Sequence, residues 1–373
     1  MEINDQDILL LRLLFSKEPY TEEQLAFLLH GLDLNQEKTE HLLLLASLGN
    51  RGSWRFFPDA VKARAEGVYR AARVRNIYGV PRLKEQLRLL DEAGISVMFL
   101  KGMAMRCHYA PGAAREMSDF DLAVPENRYA EAKEILLREN GTGIGSVSPY
   151  AVTIESPQKN IDLHRWVFKR GGLSSSFVWE HALSIDFQGM KIFVPDPQDM
   201  LIHLADSKAR DLVQASHPER KLMWISDLRI IIEGMGALNW AEIAERAERY
   251  GSSYYLRTVL PVFSQVFPEF LSETDLNKYF SKDQKDHIRS TELDLYRKAF
   301  LKYSSYVERH GVKDYSFART CRAVSHAWAS YRLYLGPEFR EEGLLSNFYQ
   351  FLCLTCQADS LRSLVRQYFD RRS

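Results

Sequence analysis

Three scarcities in this chain of 373 residues limit the kind of protein that it encodes. Its 4 cysteines are too few for a scaffold held together by disulfides in a chain of this length. No apolar run approaches the ~20 residues that span a bilayer, and the amino terminus lacks a basic start followed by a small-residue cleavage site. We therefore expect a soluble, cytoplasmic protein with no membrane partner.

Net charge is also lacking, because Lys and Arg total 49 and Asp and Glu total 49. General nucleic-acid binders carry a strong positive field, so the overall composition argues against that class. Residues 51–90 differ from the rest, since they contain ten Lys or Arg and three acidic residues. Two interpretations of this basic segment stay open: a solvated helical face, or a surface for a polyanionic ligand.

The hydrophobic pattern divides the chain into three regions. Residues 1–93 have apolar residues at helical spacing, with a capping-box sequence at Thr21–Gln24. Residues 94–195 contain short apolar runs typical of strands, at 95–100, 119–124, 150–155, 160–168 and 191–196. Helical spacing then dominates residues 196–373. The sequence therefore predicts an α+β fold in which a small mixed-sheet core is flanked by amino-terminal and carboxy-terminal helical regions.

One predicted strand carries two aspartates. Alternation places Asp119 and Asp121 on one face of residues 119–124, while Phe120 and Leu122 point to the core. The carboxylates would lie about 6.6 Å apart along the backbone and would repel each other, a repulsion that Mg²⁺ relieves. A solvated Asp-x-Asp at a sheet edge is the alternative. Because the pair has no predicted counter-charge, we expect Asp119→Asn and Asp121→Asn to leave the fold intact or to stabilise it.

Two further features accompany the aspartate pair. Lys101 and Gly102 end the preceding strand, where a following helix would offer free N–H groups and its positive dipole end to a phosphate. Gly102 would also permit close approach of the backbone. Asp162 lies in the later strand predicted over 160–168, with His164 on the same face. A third carboxylate on a neighbouring strand would complete a site for two metal ions.

These residues, in this order, resemble the bacterial nucleotidyltransferase-like branch of the DNA polymerase β superfamily. The segments that carry the resemblance are Leu100–Gly102, the step from Tyr109 to Arg115, Ser118–Asp121 and Asp162–Trp166. Met103 stands where the superfamily usually has Gly or Ser, and this branch commonly shares that departure.

The resemblance implies that residues 94–195 form a polymerase-β-type core. It also implies a metal-dependent reaction that moves a nucleoside monophosphate from an NTP to an acceptor hydroxyl and releases pyrophosphate. The residues implied as catalytic and as ligands of two Mg²⁺ or Mn²⁺ ions are Asp119, Asp121 and Asp162. The residues implied to bind the nucleotide phosphates are Lys101, Gly102, Arg115 and Ser118.

The acceptor is the point at which alternatives stay open. A small molecule is favoured for a chain without net charge, whereas a tRNA end or a protein side chain would fit the basic segment 51–90. A third interpretation is an inactive transferase fold that serves as a binding or scaffold protein. Asp227 lies on a predicted amphipathic helix, where a salt bridge and a contact with base or ribose are both open.

Overall fold

The computed structural model describes residues 3–32, 39–109, 115–140, 143–147, 151–168, 172–214, 222–236 and 238–280. These residues lie within one compact unit, Met1–Ser281. The helices predicted beyond residue 280 fall outside the described part of the chain, and the domain boundaries predicted after residues 93 and 195 stay predictions. Within the described ranges, no helix is both long and apolar enough to cross a membrane.

Helices fill the described chain before the first strand. They are α1 (Asp5–Phe15), α2 (Glu22–Leu29), α3 (Thr39–Leu48), α4 (Asp59–Tyr78) and α5 (Val80–Glu92). The predicted capping box is confirmed, because Thr21 Oγ1 accepts from the Gln24 N–H while the Gln24 side chain accepts from the Thr21 N–H. These reciprocal bonds satisfy two backbone donors that the first turn of α2 leaves without helical partners.

The described strands form one mixed sheet. They are β1 (Met98–Phe99), β2 (Phe120–Ala123), β3 (Ile144–Val147), β4 (Ala151–Ile154), β5 (Ile161–His164), β6 (Leu183–Phe187) and β7 (Met190–Val194). Their spatial order is β3-β4-β5-β2-β1-β7-β6. β2 runs parallel to β5 and antiparallel to β1, and β1 runs parallel to β7. This mixed sheet, with helices before and after it, confirms the predicted α+β fold class.

The remaining helices connect strands or follow the sheet. They are α6 (Lys101–Met105), α7 (Tyr129–Asn140), α8 (Gly172–His181), α9 (Pro197–Gln214), α10 (Met223–Gly234), α11 (Trp240–Arg249), α12 (Ser253–Val266) and α13 (Glu273–Tyr279). α9 packs against α10, α11 and α12 and also contacts α6. It thereby joins the carboxy-terminal helices to the short helix that follows β1.

The sequence prediction missed β3, β6 and α8 and made β1 too long. β6 is an edge strand whose side chains are exposed or half-buried, so it has little of the apolar alternation that marks a strand. β1 ends early because Lys101 adopts φ 43°, in the left-handed region, and the chain turns directly into α6. Such backbone is uncommon for a residue with a side chain.

Phe120 anchors β2 in the core. The residue is 1% exposed, and an added Cβ at Gly79 would come within 2.9 Å of its ring. The ammonium of Lys159 lies 5.1 Å from the centre of the same ring. The predicted core position of Phe120 is therefore confirmed, and the alternative of a solvated Asp-x-Asp at a sheet edge does not hold for Asp121. Asp121 is 4% exposed, because neighbouring elements cover that face of the sheet as well.

Removal of the Phe120 ring tests this packing. We expect Phe120→Ala to lower the free energy of unfolding by about 3–5 kcal/mol, through lost burial and the cavity left behind. Tyr78→Ala is the control, since Tyr78 is 65% exposed, and its effect should stay within about 0.5 kcal/mol. Urea denaturation of both variants measures the difference. Equal effects would place the Phe120 ring outside the core.

Candidate active site

β2 and β5 bring the predicted aspartates together. Their parallel register sets Asp121 directly opposite Asp162, and neighbouring strands lie about 4.8 Å apart. Asp119 immediately precedes the first residue of β2. The charges of Asp121 and Asp162 both act on Asp119. The expectation that Asp162 occupies a strand beside the Asp119 and Asp121 segment is therefore confirmed.

Asp121 is the buried centre of this cluster. Its Oδ1 accepts a hydrogen bond from Lys101 Nζ at 2.6 Å and lies 3.1 Å from His164 Nε2. Burial by itself would raise the pKa of Asp121, but the charge of Lys101 and the hydrogen bond with His164 hold that pKa well below its usual range. Burial would likewise lower the pKa of Lys101, and the charge of Asp121 raises it instead. The aspartate and the lysine therefore form an ion pair.

The backbone around β1 explains how Lys101 reaches Asp121. The Leu100 N–H donates to the Asp121 carbonyl at 3.0 Å, so the end of β1 is bound to the middle of β2. The left-handed turn at Lys101 follows immediately. A disfavoured backbone of this kind persists only where the surrounding structure holds it. Here the backbone hydrogen bond of Leu100 and the ion pair of Lys101, both with Asp121, hold the two consecutive residues at the turn.

Asp119 and Asp162 differ from Asp121 in their surroundings. Asp119 is half-buried and accepts a hydrogen bond from Ser118 Oγ at 3.0 Å. Burial and the nearby charge of Asp121 raise the pKa of Asp119, despite the opposing charge of Lys101. Asp162 accepts a hydrogen bond from Thr153 Oγ1 at 2.6 Å, across the pairing of β4 and β5. Of Asp119 and Asp121, Asp119 is therefore the one whose charge the folded structure disfavours.

Arg115 lies beside the Lys101–Gly102 turn but binds a carboxylate. Its Nε and Nη2 donate to both oxygens of Asp227 at 2.7–3.0 Å, and Tyr109 donates to Asp227 Oδ1 at 2.6 Å. Burial would lower the pKa of Arg115, and the charge of Asp227 raises it. An added Cβ at Gly102 would lie 2.7 Å from Arg115 Nη1. Asp227 therefore makes a salt bridge with Arg115, and the absence of a side chain at Gly102 leaves room for Arg115. Phosphate binding by Gly102 or Arg115 stays a prediction.

Several contacts that shape the site had no motif in the sequence. Asn76 of α4 donates to the Arg115 carbonyl at 2.6 Å and accepts from the Met117 N–H at 3.1 Å. Lys159 donates to the Met117 carbonyl at 2.6 Å. Together these side chains hold the segment that carries Arg115 and leads into β2. No local pattern could have identified them, because each lies about 40 residues away along the chain.

The aspartates fit a metal ion by the chemistry of their donors. In the ranges that the structure describes, no three His, Cys, Asp or Glu side chains already converge on one point as metal ligands. Carboxylate oxygens are nevertheless the ligands that Mg²⁺ prefers, and the raised pKa of Asp119 shows that further positive charge would be favourable there. The ammonium of Lys101 already contacts Asp121 as a cation would. Asp119, Asp121 and Asp162 are thus of the donor type that a hard divalent cation takes, and their role as metal ligands stays a prediction.

The ion pair reverses the expectation for one of the two aspartates. We expect Asp121→Asn to lower the free energy of unfolding at pH 7 by about 1–3 kcal/mol, because the ammonium of Lys101 loses its partner. Asp119→Asn should instead be neutral or stabilising, because the raised pKa of Asp119 means that the folded state disfavours its charge.

Urea denaturation at several pH values measures both effects. The folded pKa of Asp121 lies below its unfolded value, so its contribution is present above about pH 4 and disappears as the pH falls through the folded pKa. The gap between wild type and Asp121→Asn should narrow accordingly in acid. A stabilised Asp121→Asn at pH 7 would contradict the ion pair.

The second salt bridge gives a separate prediction. Asp227→Asn should lower the free energy of unfolding by about 3–5 kcal/mol, because it leaves the guanidinium of Arg115 without a counter-charge in a buried position. Glu245→Gln is the matched control, since Glu245 forms an exposed helical pair with Arg249, and such pairs contribute about 0.3–0.5 kcal/mol. Similar losses in both variants, by the same denaturation measurement, would show that Asp227 is not a buried partner.

A family model described as uncharacterised nucleotidyltransferase matches residues 33–268, which is more than half of the chain. A search of curated proteins gave no match.

Solved structures give partial overlaps. ANT(2″)-Ia in a crystal with adenylyl-2″-tobramycin is 13% identical, covering 47% of this chain and 98% of that one, with a TM-score of 0.35. A solution structure of the antibiotic-resistance factor ANT(2″)-Ia is 14% identical, covering 49% of this chain and 94% of that one, with a TM-score of 0.33. An antigenic nucleotidyltransferase-like protein from Paracoccidioides brasiliensis is 15% identical, covering 56% of this chain and 97% of that one, with a TM-score of 0.32.

The family assignment rests on the family model, whose match includes every element that carries the aspartates, Lys101 and Asp227. The chain belongs to the uncharacterised nucleotidyltransferase family, and its class of reaction is nucleotidyl transfer.

Proposed function

We propose that this protein transfers a nucleoside monophosphate from an NTP to an acceptor hydroxyl, with release of pyrophosphate and in dependence on Mg²⁺ or Mn²⁺. The observation that carries the proposal is the register of β2 and β5, which sets Asp121 opposite Asp162 beside Lys101. Nucleotidyl transfer requires carboxylates and positive charge at one place, and this arrangement supplies both.

The three carboxylates are assigned to the metal. Two bound ions would lower the pKa of the attacking hydroxyl and neutralise charge on the leaving pyrophosphate. Asp119, Asp121 and Asp162 would be the residues that hold these ions. Thr153 fixes the Asp162 carboxylate through its hydrogen bond, so we assign Asp162 to accept the proton from the acceptor.

Lys101 and Ser118 are assigned to the phosphates. The Lys101 side chain is 31% exposed, so it is not enclosed by the protein. Its ammonium can therefore turn from Asp121 towards a phosphate oxygen. Ser118 is exposed beside Asp119 and can donate its hydroxyl. Arg115 is held by Asp227, so we assign it to packing against Gly102 and not to direct contact with a phosphate.

The acceptor is proposed to be a small molecule. A chain with equal numbers of acidic and basic residues lacks the field that draws a polyanion such as tRNA. A tRNA acceptor would instead give binding that weakens steeply with salt. A scaffold without activity would tolerate loss of any of the aspartates without loss of its function.

Thermal melting with each of the four NTPs, with and without Mg²⁺ or Mn²⁺, tests the proposal. A ligand at about a hundred times its dissociation constant adds about 2.7 kcal/mol, so the melting temperature should rise by several degrees. Asp162→Asn should abolish the rise while the Lys101–Asp121 ion pair stays intact. Glu134→Gln is the matched control, because Glu134 is exposed on α7, and it should respond like wild type.

Three results would count against the proposal. No shift with any NTP would favour a repurposed fold. A shift without a divalent ion would remove the metal from the proposal. A shift that survives in Asp162→Asn would place the nucleotide somewhere other than at the paired strands.

A further inference from the structure

A cleft of about 450 Å³ opens between α1, α3 and α10. Its volume lies within the range of about 300–1,000 Å³ that small-molecule sites occupy. Phe15 of α1, Leu44 of α3 and Ile230 of α10 give it apolar walls. None of the aspartates assigned to the metal is among the residues that line it, so the cleft is distinct from the candidate active site.

The charged residues at the cleft already have hydrogen-bond or ionic partners. Arg51 uses its guanidinium to donate to the carbonyls of Leu13 and Ser16, at 3.1 and 2.5 Å. Glu233 pairs with Arg229 at 3.0 Å. An anionic ligand would have to draw the Arg51 guanidinium away from these carbonyls, and a cationic ligand would have to draw Glu233 away from Arg229, so a ligand without net charge suits the cleft better than either.

Polar groups in the walls remain available to a ligand. Burial lowers the pKa of His108, so its imidazole is neutral at pH 7 and offers one donor and one acceptor. Tyr109 donates its proton to Asp227, so its oxygen can still accept. Ser226 is 3% exposed, and its Oγ has no hydrogen-bond partner in the described part of the protein. Buried hydroxyls usually have a partner, so a ligand that supplies one is favoured.

We propose that this cleft binds an uncharged amphipathic small molecule, with an apolar ring or short chain that carries a hydroxyl group. The apolar part would pack on Phe15, Leu44 and Ile230, while the hydroxyl would exchange hydrogen bonds with His108 and Ser226. This site is independent of the proposed nucleotidyl transfer, and binding can be measured without nucleotide or metal.

The cleft shares one side chain with the network beside the active site. Tyr109 lines the cleft and donates to Asp227, which in turn holds Arg115 against Gly102. A bound molecule would therefore contact the outer member of this chain of hydrogen bonds. Ligand and nucleotide would occupy opposite ends of one buried network.

Gly234 and Gly67 provide a matched pair of variants. Gly234 lines the cleft in the last turn of α10, and an added Cβ there would have His108 Nδ1 as its nearest neighbour at 3.9 Å. Gly234→Phe should therefore fill the cleft without a clash at Cβ. Gly67 is an exposed glycine within α4 with no atom within 4 Å of an added Cβ, so Gly67→Phe adds the same ring elsewhere.

The probe is N-phenyl-1-naphthylamine, a neutral molecule with one N–H whose fluorescence rises in apolar surroundings. We expect saturable binding to wild type and Gly67→Phe, and at least tenfold weaker binding to Gly234→Phe. Among competitors of equal chain length, 1-hexanol should displace the probe at concentrations at least tenfold below those of hexanoate or hexylammonium.

Several results would overturn the proposal: no saturable signal, unchanged binding to Gly234→Phe, or equal displacement by the charged competitors. Hydrogen exchange on wild type gives an answer even if Gly234→Phe fails to fold. The probe should slow amide exchange in α3 and α10 and leave α7 unchanged. Unchanged exchange in α3 and α10 would likewise refute the site.

Discussion

The contact between Asp121 and Lys101 is the interaction on which the candidate site depends. A carboxylate with 4% of its surface exposed is stable as an anion only when positive charge or donors replace the lost water. The sheet order supplies both, because β2 lies between β1 and β5. Lys101 follows β1, and His164 ends β5, so each flanking strand delivers one partner to the same oxygen.

A second buried ion pair extends this arrangement into the helices. Arg115 precedes β2, whereas Asp227 belongs to α10, and their bidentate contact crosses 112 positions of sequence. Because Arg115 packs against Gly102, the carboxy-terminal helices support the turn that presents Lys101. Loss of one partner from either ion pair would leave the other charge buried without a counter-charge. Such a loss would lower the free energy of unfolding. The cleft beside Tyr109 lies at the outer end of the second network.

Several parts of the fold and the site followed from local pattern. Alternation over residues 119–124 was enough to assign Phe120 to the core and Asp121 to the opposite face. It was also enough to place Asp162 and His164 on one face of β5, where both now lie beside β2. The edge strand β6 escaped prediction, because exposed strands do not need apolar alternation. The ion pairs were not predicted either, because the position of a Lys or Arg in the sequence does not indicate which carboxylate it will pair with in the fold.

By itself the sequence determined the fold class, the core position of Phe120 and the presence of three carboxylates on or next to adjacent strands, because these depend on residue type and on a period of two. Only the tertiary structure decided that Asp121 is buried, that Lys101 neutralises it and that Arg115 binds Asp227. Burial and pairing depend on which distant elements cover a face. Sheet order and helix packing bring those elements together, and neither leaves a periodic mark in the local sequence.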